Sequence, residues 1–372
     1  MITLPEFSLF WLGIATISQL IFIWIVFGRL AFYKEEVLGN IDLPSVSVIV
    51  AARNEYENLQ ELLPALLNQN YPNFQVIIAE DRSYDESYNY LFEQQKAHKN
   101  LKICRVTETP EHINGKKFAL TLGIKAAENE HLVFTDADCR PNSPDWLRGI
   151  VSRYKEKTEF VLGFSQYTKE KGFLNKFIRF ETFFVGVQYL SFAIWGRPYM
   201  GVGRNLSYKK EVFFRHKGFL KHQHITGGDD DLMVNMGANR KNTVISIHED
   251  SQTNSIPENN FDDWYHQKKR HLSVGKQYKS ADVFVLGLLM ISYIGFYAML
   301  PLALISKVPY EWVLGAYGIR LISLLIVFQL IKQKLNKSFE IYLVPFMDIL
   351  YIFYYIFVGI VARTTKRIAW RK

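Results

Sequence analysis

Cysteine is almost missing from this chain: Cys104 and Cys139 are the only two among 372 residues. Two thiols provide neither a disulfide framework nor a zinc knuckle, and they are read as reduced. Two phosphate-binding signatures are also absent, G-x-x-x-x-G-K-[ST] and G-x-G-x-x-G, which excludes a P-loop and a dinucleotide fingerprint. The net charge is +8, yet no zinc-finger spacing, arginine-rich block or RNA-binding signature accompanies it. Nucleic acid is therefore not an expected partner. There is no internal repeat and no low-complexity tract. Nor does the start read as a cleaved signal, because Glu6, not Lys or Arg, precedes the first apolar run and no small-residue cleavage site follows it.

The chain does have apolar runs, and they are concentrated at its two ends. Residues 7–27, 283–305, 312–331 and 341–361 are each nearly uncharged and long enough to cross a bilayer as a helix. The middle is polar and mixed in charge. The expected division is an anchor at 1–32, a soluble domain at 33–281 and a C-terminal membrane region at 282–372. Arg29 and Lys34 follow the first run, so the positive-inside bias puts the central domain in the cytoplasm and the amino terminus outside. The expected location is the cell membrane, multi-pass. Three further spans would carry the tail outside, whereas Arg363, Lys366, Arg367, Arg371 and Lys372 argue for inside. Either one segment is re-entrant or interfacial, or the rule fails here. Arg320 and Asp348 lie within apolar runs, where charges are costly. They pair with each other, or one snorkels and the other faces a cavity. The positive excess is read as attraction to anionic lipid and phosphate-bearing ligands.

In the middle region, residues 45–51 form an apolar run that predicts a buried parallel strand. Ala52-Arg53-Asn54-Glu55 follows, and then a helical face of Leu59, Leu62, Leu63, Leu66 and Leu67. Residues 74–79 form a second strand, ending in Glu80-Asp81-Arg82-Ser83-Tyr84-Asp85. Residues 101–106 form a third. Gly115-Lys116-Lys117 opens a helix, and Leu132-Val133-Phe134 is a fourth strand ending in Asp136-Ala137-Asp138. Strands alternating with helices indicate an α/β layer with a mostly parallel sheet. In such sheets ligands bind beyond the carboxyl ends of the strands. Arg53, Asn54, Glu55, Asp81, Lys116, Asp136 and Asp138 are thereby expected along one crevice. Carboxylate oxygens there suit Mg²⁺ or Mn²⁺ bridging to a diphosphate, and the lysine neutralises phosphate. An acidic pair in a turn is commonly just solvated; five such loops in one order are harder to read that way.

That order resembles the family 2 glycosyltransferases, whose catalytic domain has the GT-A fold, over roughly residues 45–277. The first strand and Ala52-Arg53-Asn54-Glu55 look like the family's nucleotide-binding start. Glu80-Asp81-Arg82-Ser83-Tyr84-Asp85 looks like D-D-G-S-x-D, with Glu80 and Arg82 departing from it. Gly115 to Thr121 is similar to G-K-x-x-A-L-N, and Asp136-Ala137-Asp138 to the metal-binding D-x-D. Gly203 and Asn205 resemble the acceptor-side G-x-N segment. Gly228-Asp229-Asp230-Asp231-Leu232 stands where the family keeps its general base. Spacing to Leu232 favours Asp229, and a G-D-D alignment favours Asp230. Gln267, Arg270 and His271 resemble Q-x-x-R-W, with His in place of the Trp that stacks beside the acceptor in processive synthases.

The resemblance implies a membrane-bound, metal-dependent, inverting, hexosyltransferase-like enzyme of glycolipid or cell-envelope polysaccharide synthesis. It would use a nucleotide-diphosphate sugar (a UDP-sugar by family habit) and a lipid or glycolipid acceptor. A processive synthase is the alternative, with a silent sugar-nucleotide binder behind it. A transporter is disfavoured because most of the chain is a soluble α/β domain. Last, Phe173, Phe177, Phe180, Phe183, Phe184, Val187 and Leu190 recur at helical spacing. That stripe reads as core, with an interfacial membrane helix as the competing reading.

Overall fold

The computed structural model describes residues 3–36, 43–337 and 339–364; the basic tail beyond Thr364 lies outside them. Helix α1 (Leu4–Ile21) begins on a Thr3–Glu6 capping box and continues through a π-helical stretch (Phe22–Phe27) into α2 (Gly28–Ala31). The α/β unit then alternates as expected: β1 (Val46–Ala52), α3 (Tyr56–Leu67), β2 (Phe74–Asp81), α4 (Ser87–Ala97), β3 (Leu101–Val106), α5 (Gly115–Ala126), β4 (His131–Phe134). The later elements are β5 (Cys139–Pro141), α6 (Trp146–Val151), β6 (Phe160–Gly163), β7 (Ser165–Tyr167), α7 (Phe173–Trp195), β8 (Leu206–Lys209) and α8 (Lys210–Arg215). They are followed by α9 (Asp231–Gly237), β9 (Thr243–Ser246), β10 (Thr253–Ser255), α10 (Phe261–Val274), α11 (Ser280–Ile305), α12 (Tyr310–Leu335) and α13 (Val344–Thr364).

The main sheet has the order β3-β2-β1-β4-β8-β6-β9, and only β8 runs against its neighbours. β1 is almost wholly buried because both of its faces are covered. Val48 and Val50 pack under Leu59, Leu62, Leu63 and Leu66 of α3, while Ile49 faces Leu120 and Ile124 of α5. A parallel strand covered on both sides needs this continuous apolar run. A small sheet, β5-β10-β7, closes the end beyond β4.

Five helices among the described residues are long and apolar enough to cross a membrane. Four are the expected runs. The fifth is α7, whose apolar stretch is 89% buried within the protein. Its aromatic stripe is core: Phe184 meets Phe27, Phe328 and Tyr351, and Phe183 stacks on Phe339 at 4.3 Å. α7 is thus the seam between the sheet and the membrane helices. Arg320 and Asp348 do pair, at 2.6 Å, both fully buried, with Gln19, Tyr293 and Tyr297 completing the network.

Candidate active site

The loops after β1 and β2 are clasped together. The Asn54 backbone donates to Ser83 Oγ and its side-chain oxygen accepts from Tyr84 N, both at 3.0 Å. Asp85 accepts from Tyr56 N, and Ser87 Oγ from Glu55 N. Asn54 and Arg82 both adopt left-handed backbone (φ 54°). Arg82 occupies the position where the resembled motif carries Gly, the residue that takes this conformation without strain. Its guanidinium folds back onto Asp81 at 2.9 Å, and Glu80 is buried and accepts from Ser83 N. Arg53, Glu55 and Asp81 line the cleft. Asn54 instead ties the two loops behind it.

Beyond β4, Asp136 and Asp138 enter the same cleft, and α5 delivers Lys116 to Asp136. Asn114 caps α5 by accepting from Lys117 N. Lys116 Nζ lies 2.8 Å from Asp136 and 3.2 Å from Asp229. Burial alone would lower this lysine; Asp136 and Asp229 outweigh it and hold the ammonium well above its usual range. The neighbouring Lys117 points away, donating to the carbonyls of His222 and Ile225, and burial pushes it down to about 8.

Gly227 and Gly228 turn the chain at φ 85° and 80°, and a Cβ on Gly228 would meet Leu232 at 2.7 Å. That turn presents three adjacent acids with three different fates. Asp229 feels burial, which would raise it, but Lys116 and Lys117 hold it below the ordinary carboxylate range, so it is ionised at neutral pH. Asp230 caps α9 and accepts from Gly203 N at 2.6 Å; burial and the charge of Asp229 push it up to about 6. Asp231 is buried, accepts from Tyr278 Oη at 2.8 Å, and is raised further still by burial and Asp230.

Helix α10 supplies the opposite wall. Gln267, Arg270 and His271 all face the cleft. His271 is exposed to the water of the cleft, and its partial desolvation there together with the positive charges of Arg270, Lys268, Arg204 and Lys116 lowers it below the usual histidine range. Sequence reasoning assigned no role to Lys268, Glu181 or Arg204. Lys268 and Glu181 form a buried pair at 2.5 Å that fastens α10 to α7, and Arg204 lies 4.4 Å over the ring of Tyr167. Buried charges at helical positions on α7 were the available signal.

The cleft encloses about 1220 Å³ and gathers Ala52, Arg53, Glu55, Asp81, Lys116, Asp136, Asp138, Gly203, Asp229, Asp230, Gln267, Arg270 and His271. Asn205 is not among them. It is fully buried and spends its amide on Phe164 O, Ser251 O and Trp146 Nε1, supporting the cleft from behind. No group of three or more His, Cys, Asp or Glu forms a metal cage among the described residues. The two carboxylates still fit Mg²⁺ or Mn²⁺, which bind through one or two carboxylates and leave the remaining positions to phosphate and water.

Residues 47–220 match the sequence model of "Glycosyl transferase family 2". A beta-monoglucosyldiacylglycerol synthase of Nostoc sp. is 32% identical over 156 residues, which cover 41% of this chain and 32% of that protein. A poly-beta-1,6-N-acetyl-D-glucosamine synthase of Staphylococcus epidermidis is 33% identical over 112 residues, covering 30% of this chain and 25% of that one. The chain thus spans a third or less of the length of these curated relatives. Among solved structures, the mannosyltransferase PcManGT of Pyrobaculum calidifontis, in complex with GDP-Man and Mn²⁺, superposes with a TM-score of 0.59 at 16% identity, covering 89% of this chain and 98% of that one. At that identity the likeness is one of fold, and the fold is GT-A.

Proposed function

The chain belongs, through residues 47–220, to glycosyl transferase family 2, and on that premise we propose that it is a membrane-bound inverting glycosyltransferase acting on a lipid acceptor. The donor is a nucleotide-diphosphate sugar, a UDP-sugar by family resemblance. Its base and ribose lie against Ala52, Arg53, Glu55 and Asp81, and its diphosphate lies between Lys116 and Arg270. Asp138 and Asp136 would hold Mg²⁺ or Mn²⁺, which supplies positive charge to the departing diphosphate. Lys116 adds to that stabilisation from a position fixed before the reaction. Asp229 takes the proton of the acceptor hydroxyl as its oxygen bonds to the anomeric carbon, while the bond from that carbon to the diphosphate oxygen breaks and its electron pair leaves with the nucleoside diphosphate. One displacement inverts the centre. Asp230, held by Gly203 N, positions Asp229.

The observation that carries this reading is the meeting of Lys116 with Asp136 on one side and Asp229 on the other. Metal carboxylate and candidate base are one lysine apart. The catalytic domain is proposed to face the cytoplasm, on the evidence of Arg29 and Lys34. The test uses full-length protein in native membrane lipid with labelled donor. Asp229→Asn is expected to bind donor but lose transfer by about two to four orders of magnitude. Asp138→Ala and a chelator should each abolish turnover. Full activity of Asp229→Asn and Asp230→Asn would sink the mechanism, and a long water-soluble polymer as product would favour the processive alternative.

A further inference from the structure

The cleft does not end at the acidic loop. The same continuous volume runs on between α11 and α13, where its walls are Leu286, Met290 and Ile294 on one side and Ile356 and Ile360 on the other. On α11 the lining positions begin at Val283 and recur at intervals of three and four, which is one face of the helix. At 1.5 Å per residue, Val283 to Ile294 spans about 16 Å. That is about half of a ~30 Å hydrocarbon core, the depth of one leaflet. Two lining positions have no side chain, Gly287 on α11 and Gly359 on α13, and a Cβ at either would meet no heavy atom within 4 Å. Ile291 lines the cleft and is 71% exposed, so the groove is open sideways.

The chemistry along the cleft changes in step with depth. Asp229, Asp230 and Asp231 stand at its polar head. Tyr278 and Tyr199 adjoin Asp231, and Tyr351, Tyr354 and Tyr355 precede the apolar stretch on α13. Amphipathic tyrosine rings suit headgroup depth. Resting on the function proposed above, we infer that the groove between α11 and α13 seats one hydrocarbon chain of the acceptor, entering sideways from the bilayer with Gly287 and Gly359 as its floor. The occupant is a fatty-acyl lipid whose head ends in a hydroxyl. The head ends in a hydroxyl because a hydroxyl is the group that needs a base to lose its proton, and Asp229 is the base proposed above.

The experiment compares 1,2-dioleoylglycerol with 1,2-dihexanoylglycerol as acceptors for the full chain in nanodiscs. The readout is the ratio of kcat/KM for the long-chain to the short-chain lipid. Gly287→Phe and Gly359→Phe fill the groove and should each lower that ratio at least tenfold. Gly315→Phe on α12, exposed and outside the cleft, should keep the wild-type ratio. An unchanged ratio in both groove variants overturns the inference while leaving the transferase reading intact. Preference for a polyprenyl phosphate over either diacylglycerol overturns the occupant. Should the groove variants not fold, wild-type protein is photolabelled with a diacylglycerol carrying a diazirine at one chain end. Label on Met290, Ile294 or Ile360 supports the groove, and label confined to α12 rejects it; neither result depends on turnover.

Discussion

At the scale of single residues, the acidic loop shows how one side-chain type is split into different roles by its surroundings. Asp229 is kept ionised by two lysines, whereas Asp230 is raised to about 6. A carboxyl whose folded value exceeds its unfolded one binds protons more tightly when folded, so stability falls as pH climbs from about 4 to about 6 and stays low above that. Asp230→Asn keeps an oxygen to accept from the backbone and removes that cost. It should stabilise the protein at pH 8 by an amount on the order of 2 kcal/mol, with the gain gone below about pH 4, while transfer drops. Melting curves at several pH values measure it; a gain that grows toward acid would contradict it. Arg82 is the other instructive residue. It takes a left-handed conformation that costs a side-chain-bearing residue about 1–2 kcal/mol, compensated in part by its contact with Asp81. Arg82→Gly is expected to fold well and to change the KM for donor more than kcat. The order of loops made this crevice legible in the sequence, yet the roles of Asn54 and Asn205 were not. An asparagine in a motif reads the same whether its amide meets a ligand or, as here, neighbouring backbone.

At the scale of elements, the parallel strands and α3 were legible because burial on both faces imposes uninterrupted apolar runs and a helix imposes its 3.6-residue period. Periodicity says which face of α7 is apolar but not what covers it. Lipid and protein interior demand the same residues, and only the ring contacts with Phe27, Phe328, Phe339 and Tyr351 decide for protein. The buried pair Glu181–Lys268 extends that seam to α10, the helix that carries Arg270. Two mutations separate packing from positioning. Phe183→Ala should cost about 3–5 kcal/mol, as large cavities in cores do, lowering the melting temperature of solubilised protein without moving donor affinity. Glu181→Gln leaves Lys268 buried with its charge uncompensated, so it should weaken donor binding through a displaced α10. Should both variants shift only the melting temperature, the seam is packing alone.

At the scale of the whole molecule, the conflict between three C-terminal spans and a basic tail turns on what α13 touches. α11 leaves the α/β unit and α12 returns to it, with Lys334 reaching the Tyr33 carbonyl and its own carbonyl accepting from Gln252. α13 does not then depart. Phe346 meets Phe173, Tyr351 meets Phe180 and Phe184, Tyr354 meets Phe177 and Trp264, and Phe357 meets Tyr265. Those partners belong to α7 and α10, so α13 follows these two helices for about three turns, while Phe353 points outward and is exposed. One face on protein and an apolar face outward suits a helix lying in the leaflet as well as one crossing it. For α13 we propose the re-entrant alternative drawn from the charge count. In sealed, oriented vesicles an epitope fused after Lys372 should be cleaved by protease from the same side as the α/β domain. Cleavage only from the opposite face would make α13 a full span and overturn the re-entrant reading.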